Sequence, residues 1–270
     1  MPAFIQSSAS VIRSFVLFAA AAVLPACELP QLDMKAGATS VIPSFGPPTP
    51  SEAAAWAIDK YDANNRYRGT LLLAGAPYAG ESVYMELFRD NADDPDPGVR
   101  AASIRAIANH GSLEDVKYLV QGLKDIDKGV RVEAARGMQR VHSADAVQPL
   151  LEVLDAEKEP EDDVRLEAAL AMGQYAENRV LDGLIIAIAD PNLAVNRNTL
   201  FSLRVLTGQD FGYDQKAWML WTKNEVKPFA ARGGYMYPAF SREKRWWEHL
   251  PFVSNPPNEP SSVPLGLPTQ

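Results

Sequence analysis

The sequence has one cysteine, three histidines and no surplus of positive charge. A single cysteine cannot close an intrachain disulfide, and it leaves no thiolate cluster for zinc or iron–sulfur chemistry. Lys and Arg number 26 against 34 Asp and Glu, a formal charge of −8. The concentrated basic face that displaces counterions from nucleic-acid phosphates is therefore missing, and no nucleic-acid partner is expected. The apolar run Ser14 to Ala26 is about 13 residues long, short of the roughly 20 that span a bilayer. No phosphate loop, dinucleotide-binding glycine turn or Ser-His-Asp set stands at workable spacing. "AGAPYAGES" at 74–82 has glycines but no phosphate-loop lysine, and it reads as a turn between helices. No catalytic residue, metal ligand or cofactor is assigned.

What is present begins with an ordinary globular composition, 47% apolar and 22% charged, compatible with a sizeable core in one or two domains. Residues 1–27 read as an export signal: Arg13 supplies the charge, the apolar run follows, and small residues precede Cys27. "VLPAC" resembles the lipobox of bacterial lipoproteins, with Val23 and Leu24 apolar, Ala26 small and Cys27 at the acylated position; Pro25 departs from the usual pattern. The resemblance implies lipidation at Cys27 and membrane anchoring in the cell envelope, the alternative being a soluble secreted or periplasmic chain. Residues 28–50 mix Pro, Gly, Ser and Thr without an apolar period and read as a flexible linker.

From 51 to 224 the pattern is helical and repeats itself. "DPDPGVRAASIRAIA", "DIDKGVRVEAARGMQ", "EPEDDVRLEAALAMG" and "DPNLAVNRNTLFSLR" align on Val99, Val130, Val164 and Val195, and a fainter copy aligns on Tyr67. Small residues stand seven past each anchor (Ala74, Ala106, Gly137, Ala171, Ser202), where a neighbouring helix can approach closely. Ile107, Met138, Met172 and Leu203 follow one position later, and together with the anchors they form one helical face. A second apolar stripe after each motif, such as Val116, Leu119 and Val120, marks a partner helix. Asp96 ahead of Pro97 and Ser112 with Asp115 are helix-start signals.

Two polar columns run through the repeats. Asp62, Asp94, Asp125, Glu159 and Asp190 stand five residues before the anchors; Arg68, Arg100, Arg131, Arg165 and then Asn196 stand one after. This acid and Val-Arg pattern resembles the signature of HEAT repeats, particularly the phycobilisome-lyase-like form, over about residues 51–224. The resemblance implies an all-α, right-handed α-solenoid of about five HEAT-like hairpins plus a capping helix. It also implies that Asp62, Arg68, Asp94, Arg100, Asp125, Arg131, Glu159 and Arg165 form a structural ladder between repeats. Gly208 and Gly212 interrupt the last copy, Asp214 restarts a helix, and Trp218 with Trp221 share the face that closes the array.

HEAT-like arrays include enzymes. Deoxyhypusine hydroxylase holds iron through His-Glu pairs, but His110, His142 and His249 are followed by Gly111, Ser143 and Leu250. Resemblance to bilin lyases leaves a cofactor-handling enzyme as the alternative function. The main expectation is a non-enzymatic scaffold whose protein or peptide partner meets a mixed-charge groove containing Arg105, Arg136, Glu133 and Glu167. The tail, residues 225–270, places Tyr235, Tyr237, Phe240, Trp246, Trp247 and Phe252 among prolines. It is expected to dock on the array's own surface, because exposed paired tryptophans promote association.

Overall fold

A computed structural model of the chain describes residues 48–240, 243–249 and 258–268. The export signal, Cys27 and nearly all of the linker lie outside them. The described residues form eleven α-helices and no strand beyond isolated bridges: α1 (Pro50–Ala57), α2 (Ala63–Ala74), α3 (Ser82–Asn91), α4 (Pro97–His110), α5 (Val116–Gly122), α6 (Lys128–Gly137), α7 (Ala144–Leu154), α8 (Asp162–Met172), α9 (Asn178–Ala187), α10 (Leu193–Thr207) and α11 (Gln215–Asn224). They pair as five hairpins, α1 with α2 through α9 with α10, and α11 closes the stack. No helix among the described residues is long and apolar enough to cross a membrane.

Side chains set most helix starts. Asp96, Asp127, Asn192 and Asp214 each accept from backbone N–H groups two or three residues on, satisfying donors that have no partner within the helix. Ser112 and Asp115 do form a capping box, but it opens a 3₁₀ turn, Leu113–Asp115, that leads into α5. The fold begins slightly before the expected boundary at 51: Pro50 is the first helical residue, and Thr49 caps α1 with Glu52 as its reciprocal partner.

Two rows of helices result. In the row α2, α4, α6, α8, α10 every neighbour packs closely, whereas α3 and α5 of the other row barely meet. The stack therefore bends toward the second-helix row. Val99, Val130, Val164 and Val195 are all buried, and Val130 and Val164 belong to the continuous core with Met138, Met172, Leu150 and Leu184. Each such side chain contributes roughly 1.5–3 kcal/mol on leaving water. At the C-terminal end Trp218 is fully buried, donates Nε1–H to Gly212 O at 2.9 Å, and meets Phe211 and Trp221 edge-on. Gly208, at φ 68°, ends α10 in the left-handed conformation that glycine tolerates best.

An arginine ladder ties consecutive repeats together. Arg100 Nε and Nη2 fork onto Asp125, Arg131 onto Glu159, and Arg165 onto Asp190, each with a closest contact of 2.7 Å. The acid six residues upstream offers its carbonyl instead: Nη1 donates to the Asp94, Asp125 and Glu159 oxygens at 2.8–2.9 Å. Each acid side chain also accepts the N–H two residues on, as Asp94 does from Asp96. One guanidinium thus fixes its own turn and the next repeat's. Burial pushes the Asp94 and Asp125 carboxyls up, but the arginine hydrogen bonds, the backbone N–H and the arginine charges outweigh it and hold both below the usual range.

In the first repeat Asp62 and Arg68 do not stand in this ladder. The guanidinium on Asp94 is that of Arg66, at 2.6 Å, and its carbonyl partner is Asp59. Asp62 is the N-cap of α2, and Arg68 lies over the Trp56 ring, 5.3 Å from its centroid. The turn here has one extra residue: three positions separate the acid from the cap (Asp59, Asp62) where the other repeats have two (Asp94, Asp96). The copy aligned on Tyr67 is consequently out of phase, and Tyr67 is 41% exposed. Tight packing against α1 falls at Gly69 rather than at Ala74, since a Cβ on Gly69 would lie 2.9 Å from Ala57 Cα and closer still to backbone N and O atoms of α1. At the other end Asn196 occupies the arginine position, and the ladder stops.

Two outcomes are expected. Arg165→Met leaves Asp190, whose side chain is 2% exposed, without its cation and lowers stability by about 3–5 kcal/mol. Lys128→Met, on a pair exposed by 61% and 37%, changes stability by less than about 0.5 kcal/mol; urea titration followed by circular dichroism compares them. Gly69→Val forces α1 off α2, so amide exchange in residues 50–57 rises to unfolded rates while α4 to α10 keep their protection.

Candidate interaction surface

The second-helix row carries a continuous charged network. Arg136, at the end of α6, donates to Glu133 at 2.9 Å and to Glu167 of α8 at 2.7 Å. Gln139 donates to the other Glu167 oxygen at 2.6 Å. Three of the expected groove residues, Arg136, Glu133 and Glu167, therefore hold one another. Arg105, on α4, points into the same area, and its partner comes from the far end of the chain: Glu259 accepts from Arg105 at 2.7 Å and also pairs with Arg140. Asn109 reaches the same carboxylate at 3.4 Å.

Glu259 belongs to a segment that lies along this row as an extended strap. Phe240 and Glu259 exchange backbone hydrogen bonds at 2.7 and 2.8 Å, and Tyr237 N–H donates to Ser262 O at 3.0 Å, so two tail segments run antiparallel. Leu265 fastens the strap to the array, donating to Arg140 O and accepting from His142 N–H, both at 2.8 Å. Gly266 follows at φ 82°, where a Cβ would collide with Leu113. Upstream, Tyr235 is 2% exposed and packs beside Gly173, while the Arg140 guanidinium stands 4.7 Å from the Tyr237 ring centroid. Residues 233–237 and 258–268 of the tail dock on its own array. Trp246 and Phe240, in contrast, stay largely exposed.

The environment splits the carboxylates. Burial pushes Glu259 up, but the Arg105 hydrogen bond and the charges of Arg140 and Arg105 prevail and hold it below 4.5. For Glu133 burial dominates and raises it above 4.5 despite Arg136 and Arg105. Its Oε2 has no hydrogen-bond partner.

The histidines do not converge. His110 Nε2 hydrogen-bonds Ala74 O at 2.9 Å, bridging two repeats, and His142 stacks on Tyr175 at 4.7 Å. Burial lowers the His142 pKa, with the Gln174 side chain acting the other way. Among the described residues no three His, Cys, Asp or Glu side chains gather as a metal site would require. Glu259 and Arg140 escaped the sequence reading. One signal was available, since Glu259 is the only charged side chain in residues 250–270.

The family model for HEAT repeats matches residues 85–161 and, overlapping, 116–204. This stretch is built of HEAT repeats. A search of curated proteins returned no match. Among solved structures, the complex of CpcE and CpcF of phycocyanin lyase from Nostoc sp. is similar at 21% identity and TM-score 0.39, covering 62% of this chain and 81% of that one. A designed armadillo repeat protein is similar at 15% identity and TM-score 0.46, covering 67% and 94%.

Strap docking depends on an ionised Glu259. A carboxyl whose pKa is depressed by docking contributes above its undocked value, here 4.5, and the contribution is lost as pH falls through the lower docked value. At pH 7, Glu259→Gln is expected to raise amide exchange at Leu265 and His142 with helix protection unchanged. The unaltered chain keeps that protection at pH 7 and shows the same selective loss only as pH falls below 4.5.

Proposed function

We propose that this chain is a non-enzymatic HEAT-repeat interaction module, held at the bacterial cell envelope by lipid on Cys27. The observation that carries the binding role is the strap: the second-helix row already recognises an extended segment. It does so through a charged fork at Arg105 and Arg140, main-chain pairing at Leu265 and an aromatic contact at Tyr237. Elements of this kind, side-chain selection on top of backbone pairing, are how sheet edges and grooves bind peptides. Stacked repeats make such a surface long enough for a protein partner. Phycocyanin lyase is an enzyme, but among the described residues no cluster of three His, Cys, Asp or Glu favours that reading over binding.

The envelope role rests on the sequence "VLPAC", with Cys27 ahead of a linker rich in Pro, Gly, Ser and Thr. Two acyl chains or more would hold the protein stably where a single chain is marginal. Cys27→Ser is expected to shift the full-length protein from the membrane to the soluble fraction, and an unchanged distribution removes the lipid anchor. Affinity capture from envelope extracts should enrich a protein in stoichiometric amount. Enrichment of none, or a stoichiometric chromophore on the purified chain, overturns the scaffold reading.

A further inference from the structure

The strap is held narrowly. In residues 258–268 only Pro264 is buried, while Val263 and Leu265 remain 56% and 48% exposed. Its hold on the array runs through the Glu259 side chain and the main-chain pair at Leu265, while Glu259, Ser261 and Ser262 also hydrogen-bond the upstream tail at Tyr237 and Phe240. Tyr235, by contrast, is a buried anchor, so release of residues 258–268 leaves the upstream tail in place.

Charge on the array itself is incomplete without Glu259. Among the described residues of the array, Arg105, Arg136 and Arg140 face Glu133 and Glu167; both carboxylates hydrogen-bond Arg136, and Arg105 acts on Glu133 by charge without a hydrogen bond. Arg105 and Arg140 share the single remaining acid. Both are half-buried, with side chains 31% and 13% exposed, so an unpaired guanidinium there is costly and a carboxylate is the group that restores balance.

Beside this fork the row continues into a hollow of about 280 Å³ between α2 and α4, walled by Tyr67, Leu71, Gly98 and Ala102, with Arg105 and Glu133 at its rim. No described residue of the strap lines it. Tyr67 and Leu71 present apolar surface there, 41% and 40% exposed. The strap thus fills the charged half of a longer site, and no described residue of the tail fills the apolar half.

We propose that the Arg105–Arg140 fork is the binding site for an extended acidic segment of a partner protein, which displaces residues 258–268 and seats a neighbouring apolar side chain between Tyr67 and Leu71. The proposal rests on the interaction-module reading and adds the chemistry of the partner and the strap's part as a competitor in cis. Binding in trans is then weakened by the fraction of chains whose site is already filled.

The test uses the full-length chain and a fluorescent peptide with the sequence of residues 258–268 as the probe, read by anisotropy. Glu259→Gln weakens the cis competitor, so the altered chain is expected to bind the probe at least about tenfold tighter than the unaltered one. A probe with glutamine in place of its glutamate binds at least about tenfold more weakly. Adding Arg105→Glu to Glu259→Gln abolishes binding, and a probe with arginine in that place restores it, which shows that the doubly altered array is folded. A probe lengthened by one N-terminal leucine gains affinity, and Leu71→Asp removes the gain. Equal binding by the unaltered and Glu259→Gln chains, or binding that survives Arg105→Glu, overturns the proposal. Failure here alongside successful envelope capture places the partner elsewhere on the chain; failure of both removes the interaction module itself.

Discussion

Each ladder guanidinium makes two commitments at once. Nη1 caps the carbonyl of its own repeat, and the Nε–Nη2 edge grips the carboxylate of the next. Hydrophobic burial between the rows supplies most of the stability, but burial is non-directional and would allow hairpins to slide against one another. A planar fork on a carboxylate that is itself fixed by a backbone N–H allows one register. Four such links, from Arg66 to Arg165, set the positions of the helices on which everything else stands.

Because the ladder sits at the start of the second helices, those helices pack closely and the stack bends toward them. Residues nine positions beyond the caps, Arg105 and Arg136, are thereby placed on the inner surface one repeat apart. That is the spacing at which a crossing segment can address both neighbourhoods. The strap uses the same physics as the ladder, arginine against carboxylate in a half-buried setting. It does so with a single carboxylate, Glu259, shared by two arginines, where the ladder has one pair per repeat.

Much of the fold was legible in the sequence. Valine anchors, capping aspartates and the Trp218 closure all occupy places that local chemistry dictates, and repetition multiplied a weak signal in each copy. The first repeat was read out of phase, because its turn holds one additional residue and its sequence offers Arg66 and Arg68 on the same short helix. Only the cap at Asp62 and the carbonyl at Asp59 distinguish them, and both are set by the path of the turn. Of the candidate surface, Arg105, Arg136, Glu133 and Glu167 were recognisable as polar positions away from the apolar stripe, but not as a network already in use.

The sequence by itself determined the helical hairpin, its number of copies and the residue types of the ladder, since a repeat turns a tertiary contact into a fixed offset along the chain. Tertiary structure alone decided that Arg66 rather than Arg68 takes the first place in that ladder, and that Glu259 crosses back to Arg105, 154 residues away. A contact made once between distant segments leaves no period to read. It exists only when the array has placed two arginines close enough to share one carboxylate.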